Sequence, residues 1–229
     1  MIKLQKVRKR YFDNHAALRG IDLEIKAEEM VFLTGHSGAG KSTLLRLIAL
    51  LERPSAGKVI FDGVDLATLA PNKIPQHRRR VGVIFQNPTL LYDRSVYENI
   101  ALPLQVNGYT PAEIQSRVQA SLDLVGLLKK ADKNPVILSG GEQQRVGIAR
   151  AIVTRPDVIL ADEPTGNLDP ELSRDIMNLF RRLNQVGITL LIATHDLELI
   201  KSFDFRQVEL KNGLVYSPEN ASPAGAAIQ

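Results

Sequence analysis

The chain has 229 residues, of which 44% are hydrophobic and 24% are charged, and its formal net charge is +4 at pH 7. These values are typical of a globular protein with one core, with or without an inserted lobe. The absence of cysteine excludes a disulfide framework and a thiolate metal site. The most apolar stretches, at 43–51 and 188–194, are much shorter than the roughly 20 residues that cross a bilayer.

The N-terminal segment is basic but no apolar run follows it, so it does not match a signal peptide, and we expect a cytoplasmic protein. The basic run at 77–80 has no interleaved aromatic residue and belongs to no recognisable nucleic-acid module. We interpret it as a solvated helix end and expect no nucleic-acid partner. Three histidines lack metal-ligand spacing, and we place them on the surface or in loops: His15, His36 and His77.

The first part of the chain has the pattern of a small antiparallel sheet. Residues 1–30 contain strand-like segments, with turns predicted at Asp13-Asn14 and at Gly20. A further strand, bounded by glycines, is predicted at 57–63. We place both regions in a minor sheet at one edge of the domain.

Four short apolar runs each end in residues suited to a functional site. Runs this short and this apolar are typical of buried parallel strands, and helical stretches at 42–53 and 171–185 alternate with them. Such alternation predicts an α/β fold with a parallel sheet, in which ligands bind at the carboxyl ends of the strands. In chain order the runs end in the glycine-rich turn at 35–40, Gln86, Asp162-Glu163 and His195.

Residues 88–155 differ from the rest because they are rich in helical patterns, with a predicted helix N-cap at Thr110 before a proline. We interpret this segment as a helical lobe inserted into a core formed by 1–87 and 156–216. Together they make a single domain within 1–229. The tail at 217–229 is rich in Ser, Pro, Ala and Gly and is predicted to be disordered.

A phosphate-binding loop is predicted where the first apolar run ends. The segment GHSGAGKS matches G-x-x-x-x-G-K-[ST] between a predicted strand and a predicted helix, which is the context that this motif requires. Its main-chain amides and the helix N-terminus favour phosphate, Lys41 would reach the β- and γ-phosphates, and Ser42 would offer its hydroxyl to Mg²⁺. The predicted nucleotide-binding residues are Gly35, His36, Ser37, Gly38, Ala39, Gly40, Lys41, Ser42 and Thr43.

Two consecutive carboxylates end the strand predicted at 157–163. Asp162 would hold Mg²⁺, and Glu163 could polarise a water molecule for in-line attack on the γ-phosphate. The alternative for Glu163 alone is a solvated acid at a strand end. Beside a phosphate-binding loop, the catalytic interpretation is favoured.

The segment LSGGEQQ at 138–144 resembles the LSGGQ signature of the ATP-binding-cassette family. The resemblance covers residues 1–216 and implies a P-loop NTPase core of the RecA-like type with a parallel sheet, an antiparallel β edge and an inserted α-helical subdomain. It also implies four further roles. Tyr11 would stack on adenine, and Gln86 would contact Mg²⁺, water and the γ-phosphate. Asp169 matches the nucleotide-binding aspartate of the D-loop, and His195 would contact the γ-phosphate.

In this family the signature faces the nucleotide of a second subunit. The residues concerned are Ser139, Gly140, Gly141 and Glu142, at the N-terminus of a predicted helix that can attract an anion. The resemblance therefore implies that MgATP is held between two copies, so that ATP favours the homodimer and hydrolysis releases it.

Longer stretches, among them DRSVYENIALPLQV at 93–106, resemble the bacterial cell-division branch of the family. This branch implies a polytopic membrane partner, a peripheral position on the inner face of the cell membrane, and an ATP-driven signal that activates peptidoglycan hydrolysis outside. The alternatives are the ATPase of a lipoprotein-release or macrolide-efflux transporter and a clamp that uses ATP binding alone. A cassette for DNA repair or translation is disfavoured because the chain carries one cassette and no coiled coil.

Two positions depart from the usual pattern of the family. Leu50 stands where a small residue or glycine is common after the phosphate-loop helix, and Asn87-Pro88 follows Gln86 where an acidic or polar pair is frequent. The first should alter packing at the helix end, and the second lies on the loop that meets the partner. The apolar residues that follow, at 90–92, indicate either a docking site or local packing.

Overall fold

The computed structural model describes residues 1–12 and 16–216. The turn predicted at Asp13-Asn14, the position of His15 and the tail predicted at 217–229 lie outside the described residues. The described strands are β1 (Ile2–Arg10), β2 (Ala16–Ile25), β3 (Met30–Thr34), β4 (Ala56–Phe61), β5 (Val64–Asp65), β6 (Val81–Ile84), β7 (Val158–Asp162), β8 (Thr189–Ala193), β9 (Arg206–Lys211) and β10 (Leu214–Tyr216).

The α-helices of the same residues are, in chain order, α1 (Lys41–Ile48), α2 (Ile74–Arg79), α3 (Val96–Val106), α4 (Pro111–Leu124), α5 (Gly140–Ile152), α6 (Pro170–Gln185) and α7 (Leu197–Lys201). Three of them, α3, α4 and α5, lie between β6 and β7 and form a helical group. Within residues 1–12 and 16–216, no helix combines the length and the apolar composition that crossing a membrane requires.

The larger sheet has the strand order β10-β9-β3-β8-β7-β6, and its pairs are parallel except for the edge pair β10-β9. Every residue of β3 and β8 is buried, because helices pack on one face of the larger sheet and α1 packs with the antiparallel strands on the other. Because β3, β8, β7 and β6 run parallel, their carboxyl ends lie at one edge of the sheet. The predicted α/β class with a parallel sheet is confirmed.

The smaller sheet is antiparallel, with the order β2-β1-β4-β5. Ile2, Leu4 and Val7 of β1 are buried while Lys3 and Lys6 are exposed, as expected for a sheet with one solvated face. The longer spacing between Leu4 and Val7 coincides with a shift of register in the pairing with β2. The turn predicted at Gly20 is wrong: Gly20 lies inside β2 with φ of 127°, and the pairing between β1 and β2 shifts register near it instead. An irregular pairing accommodates the glycine without reversing the chain.

The helices of the group, α3, α4 and α5, are each capped at their N-terminus. Thr110 caps α4 as predicted, and its hydroxyl and the Glu113 side chain form a reciprocal capping box. The beginnings of α3 and α5 use the same device. Buried apolar residues of α3, α4 and α5 pack into the core beneath the larger sheet. The boundaries at 88 and 155 stay a prediction.

The basic run at 77–80 lies at the end of α2 and its three arginines are exposed, as predicted, but His77 is not solvated. His77 is buried, and its Nε2 lies 2.8 Å from the carbonyl oxygen of Ile48, while the Arg78 guanidinium donates to the carbonyl of Leu50 at 2.8 Å. Both side chains therefore satisfy carbonyls at the C-terminal end of α1, which helical hydrogen bonds leave open. The surface position expected for His77 is wrong for the same reason.

Candidate functional site

The loop between β3 and α1 has a backbone that only glycine accommodates at two positions. Gly35 and Gly40 have φ of 137° and 108°, in the left-handed region. A Cβ at Gly35 would collide with the carbonyl oxygen of Leu210, and one at Gly40 would lie 2.7 Å from the carbonyl oxygen of Ala17. The loop is thus clamped between β9 and β2, and its chain turns directly into the first turn of α1.

Lys41 is the first residue of α1 and its side chain is only 7% exposed. Its Nζ donates to the carbonyl oxygens of Gly35 at 2.7 Å and His36 at 3.3 Å, and lies 3.6 Å from Oε1 of Glu163. A nearly buried ammonium is stable only with such oxygen partners. The lysine is therefore held in the middle of the loop, where an anion would complete its coordination.

Glu163 follows β7 and has φ of 49°, an uncommon conformation for a residue with a side chain. Its amide donates to the carbonyl of Ala193 at 2.9 Å. Its Oε2 accepts a hydrogen bond from the main-chain amide of His195 at 3.3 Å and lies 2.9 Å from the ring Nδ1 of the same residue. These contacts, with Lys41 beside Oε1, fix the orientation of the carboxylate at the edge of the sheet.

Asp162 ends β7, and its Oδ1 is buried with no hydrogen-bond partner within residues 1–12 and 16–216. An acceptor of this kind, without a donor, is costly unless an ion or a water satisfies it. In the described part of the chain, no group of three or more His, Cys, Asp or Glu could hold a metal. The single carboxylate of Asp162 nevertheless fits Mg²⁺, because this cation usually takes one or two carboxylates together with substrate phosphates and waters.

A cleft of about 630 Å³ brings most of the predicted site residues together. The phosphate-binding loop forms its floor and the ends of β6, β7 and β8 form one wall. Gly35 lies at the base of the loop, where its carbonyl accepts from Lys41. The lining residues are Tyr11, Ala17, His36, Ser37, Gly38, Ala39, Gly40, Lys41, Ser42, Thr43, Gln86, Asp162, Glu163 and His195.

The signature residues lie outside this cleft, at the N-terminus of α5. Ser139 is the N-cap: its Oγ accepts from the Glu142 amide at 3.3 Å, and its own amide donates to the Glu142 carboxylate at 3.1 Å. A hydrogen bond from Lys130, followed by those from Ser139, holds the pKa of Glu142 below its ordinary value. Gly140 and Gly141 form the first turn of α5.

Asp169 also lies outside the cleft. It caps α6, where its Oδ1 accepts from the amides of Glu171 and Leu172, both at 3.0 Å. A second cleft, of about 690 Å³, runs along the beginning of α6 and shares Glu163 and His195 with the first. Within one copy, therefore, Asp169 and the signature do not meet the phosphate-binding loop.

Sequence reasoning missed Glu52, which follows α1 on the chain. Its Oε2 accepts from the Tyr11 hydroxyl at 3.0 Å and lies 3.0 Å from Nζ of Lys9. An isolated acid after a helix is common, so the sequence offers no signal that singles it out. The contact depends on the antiparallel sheet, which places the end of β1 beside the end of α1.

Residues 18–166 match the family described as ABC transporter. The chain belongs to this family, whose members are the ATP-binding cassettes, and it is an ATP hydrolase. The predicted fold class is confirmed by a solved structure that covers 95% of this chain and 97% of its own, with a TM-score of 0.86 and 36% identity. That structure is the dimeric post-hydrolysis state of the ATP-binding cassette MJ0796, bound to ADP and Pi.

Within the family, the chain is similar to the cell division ATP-binding proteins named FtsE. The protein from Escherichia coli strain K12 is 54% identical over 213 residues, which are 93% of this chain and 96% of the relative. The protein from Bacillus subtilis strain 168 is 43% identical over 226 residues, 99% of both chains. The predicted resemblance to the cell-division branch is confirmed.

Proposed function

We propose that the chain is the ATPase subunit of an FtsEX-type membrane complex. Two copies close on MgATP, hydrolyse it, and pass a conformational signal through an FtsX-like polytopic partner to activate peptidoglycan hydrolysis during cell division. The observation that carries the enzymatic part is the meeting of Lys41, Asp162, Glu163 and His195 at the sheet edge of one cleft. The similarity to FtsE over almost the whole chain supports the cellular part.

Binding would begin with the triphosphate on the phosphate-binding loop. Lys41 exchanges its carbonyl and carboxylate partners for β- and γ-phosphate oxygens, and the N-terminus of α1 adds its free amides. Ser42, Gln86 and Asp162 are the residues that would hold Mg²⁺. When bound, the cation offsets charge on the phosphate oxygens. Tyr11 at the other end of the cleft would stack on the adenine.

Hydrolysis needs a water molecule in line with the bond between the γ-phosphorus and the bridging oxygen. Glu163 is oriented to position that water and to accept its proton as the new P–O bond forms and ADP leaves. His195 supports this role because its amide donates to Oε2 of Glu163 and its ring Nδ1 lies 2.9 Å from the same oxygen. Gln86 lines the same cleft and would sense the γ-phosphate.

The second copy would supply the signature. Ser139, Gly140, Gly141 and Glu142 lie away from the cleft of their own chain, on the capped N-terminus of α5. Asp169 likewise lies beside the second cleft rather than beside the phosphate-binding loop. A head-to-tail homodimer would bring both to the other copy's nucleotide, which makes ATP part of the interface.

The membrane contact would be indirect, through the partner. Leu90 is buried in the core, so local packing explains it, whereas Tyr92 and Ile137 are 52% and 68% exposed. Asn134 donates to the carbonyl of Tyr92 at 2.8 Å, which links the segment that carries Tyr92 to the segment that precedes Ile137. This surface would receive a cytoplasmic segment of the partner and hold the ATPase on the inner face of the membrane.

Affinity capture of Glu163→Gln with MgATP from detergent-solubilised membranes tests the cellular role, with the captured protein identified by mass spectrometry. Lys41→Ala is the matched control, since it should fail to bind nucleotide. We expect an FtsX-like protein with Glu163→Gln. Capture of a lipoprotein-release or efflux permease would keep the ATPase assignment and overturn the division role.

A further inference from the structure

The Tyr11 side chain is held at its hydroxyl by a network outside the phosphate-binding loop. The hydroxyl donates to Oε2 of Glu52 at 3.0 Å and lies 3.3 Å from Oγ1 of Thr43, in the first turn of α1. Lys9 lies over the ring, with Nζ 5.2 Å from the ring centroid. Tyr11 and Thr43 line the cleft, whereas Glu52 stands behind them.

Glu52 is itself fixed by two cations. Its carboxylate lies 3.0 Å from Nζ of Lys9 and 3.5 Å from the guanidinium of Arg46, and its side chain is 22% exposed. Burial alone would raise the pKa of Glu52, but hydrogen bonds from Lys9 and Tyr11 and the charges of Lys9 and Arg46 outweigh it and lower the pKa. The acceptor for the Tyr11 hydroxyl is therefore a carboxylate throughout the neutral range.

This arrangement lowers the entropic cost of ordering Tyr11 when a ligand binds. A tyrosine at the end of a strand has two free side-chain torsions, and ordering them when a ligand binds costs conformational entropy. An acceptor that is already fixed removes this cost, because the ring is in place before the base arrives. The anchor acts on the base end of the cleft only, since Glu52 makes no contact with Lys41 or the glycines in the described structure.

We propose that Glu52 is a positioning residue that sets the affinity and selectivity for the nucleobase by fixing the Tyr11 ring. The inference rests on the proposed function, in which Tyr11 stacks on adenine. It assigns to Glu52 a role at the base and none at the phosphates. A residue that merely stabilised the fold would weaken both kinds of contact together.

Calorimetric titration of the full chain with MgATP and, separately, with magnesium tripolyphosphate distinguishes a role at the base from a role at the phosphates, because tripolyphosphate carries no base. Glu52→Ala should weaken MgATP binding by up to about tenfold, the cost of ordering one side chain when the ligand binds, and leave tripolyphosphate binding unchanged. Glu52→Gln keeps an acceptor for the hydroxyl and should recover part of the affinity. In a Tyr11→Phe background, which already lacks the hydrogen bond, Glu52→Ala should add no further loss.

Glu24→Ala is the matched control, because it removes a carboxylate that pairs with a lysine on the same antiparallel sheet, outside the cleft. It should leave both affinities unchanged. Equal losses for the two ligands with Glu52→Ala, or losses that add to those of Tyr11→Phe, would overturn the positioning role and leave the proposed function intact. A wild-type protein that binds tripolyphosphate as tightly as ATP would instead overturn the base contact of Tyr11.

Discussion

Glu163 shares its carboxylate between two residues that are far apart in sequence. Oε1 lies 3.6 Å from Nζ of Lys41, and Oε2 lies 2.9 Å from Nδ1 of His195. Because the carboxylate is mostly shielded from water, these contacts orient it more strongly than they would at the surface. One oxygen thus borders the phosphate-binding loop while the other is held by the end of β8.

Glu163→Gln keeps the shape of the side chain and one acceptor oxygen but cannot take a proton from water. We expect ATP hydrolysis to fall by about 10²–10⁴-fold, the range for losing a positioned base, while ATP binding remains. Single-turnover hydrolysis and calorimetric binding, measured on the same preparation, check this. Hydrolysis at the wild-type rate would remove Glu163 from its catalytic role.

At the scale of the secondary-structure elements, the end of α1 departs from the usual pattern of the family. Leu50 has φ of 52°, and the Leu51 amide donates to the Arg46 carbonyl at 2.9 Å while the Leu50 amide donates to Leu47 at 3.2 Å. This is a Schellman motif with leucine at the position where glycine is preferred. Leu50 is 4% exposed, so its burial offsets the backbone strain.

Leu50→Gly tests which effect is larger. Relief of the left-handed conformation is worth about 1 kcal/mol, whereas losing a buried leucine side chain costs about 2–5 kcal/mol. We expect the free energy of unfolding to fall by roughly 1–4 kcal/mol in urea titrations. Glu28→Gly is the control, because Glu28 has φ of 63° but is exposed, and it should change stability by less than about 1 kcal/mol.

The contact between α2 and the end of α1 predicts a dependence of stability on pH. Burial lowers the pKa of His77, the Ile48 carbonyl partly opposes this, and the nearby charges of Arg80 and Arg78 add to the lowering. The unfolded chain therefore binds the proton more readily than the folded one. Stability from this group is complete above about pH 6.5, the ordinary histidine pKa, and is lost as the pH falls toward the folded value.

His77→Gln should weaken this dependence, because glutamine can donate to the Ile48 carbonyl without titrating. Urea unfolding at pH 7.5, 6.5 and 5.5 would measure it; these pH values bracket the ordinary histidine pKa of about 6.5. We expect the wild type to lose more stability between the upper and lower pH than the variant does. Parallel losses in the two proteins would show that other groups cause the acid sensitivity.

At the scale of the whole molecule, the phosphate-binding loop and the signature segment lie apart within one copy. The phosphate-binding loop lies in one cleft, and the signature lies at the N-terminus of α5. Apart from its chain neighbours and the backbone of its own helix, no described residue has an atom within 4 Å of a Cβ at Gly140, so a larger residue there fits one copy. In a head-to-tail dimer the same position would face the other copy's γ-phosphate.

The substitution Gly140→Asp should be tolerated in a single copy but not in a head-to-tail dimer. An aspartate in the first turn of a helix is compatible with the fold of a single copy, but its negative charge would repel the phosphate of a second copy. Because Glu163→Gln should bind ATP without hydrolysing it, we expect that variant to accumulate as an MgATP-induced dimer. Adding Gly140→Asp should abolish this dimer and leave thermal stability and ATP binding unchanged. Light scattering of Glu163→Gln with and without the added substitution measures it. Persistence of the dimer would contradict the head-to-tail arrangement.

The sequence by itself determined the family, the fold class and most of the residues that line the cleft, Ala17 being an exception. The phosphate-binding loop, the acids after β7 and His195 after β8 could be predicted because each depends on a short segment at a strand end. The ATP-binding-cassette resemblance supplied the remaining roles, including Tyr11 and Gln86. Local patterns are sufficient where one segment of chain builds one part of the site.

Only the tertiary structure decided which distant residues meet. It buried His77 against α1, carried Gly20 through β2 without a turn, placed Glu52 behind Tyr11, and left the signature away from its own cleft. Each outcome depends on strand order and on pairing between segments far apart in the chain. Burial and ion pairing are set by such neighbours, and the local periodicity of a sequence does not specify them.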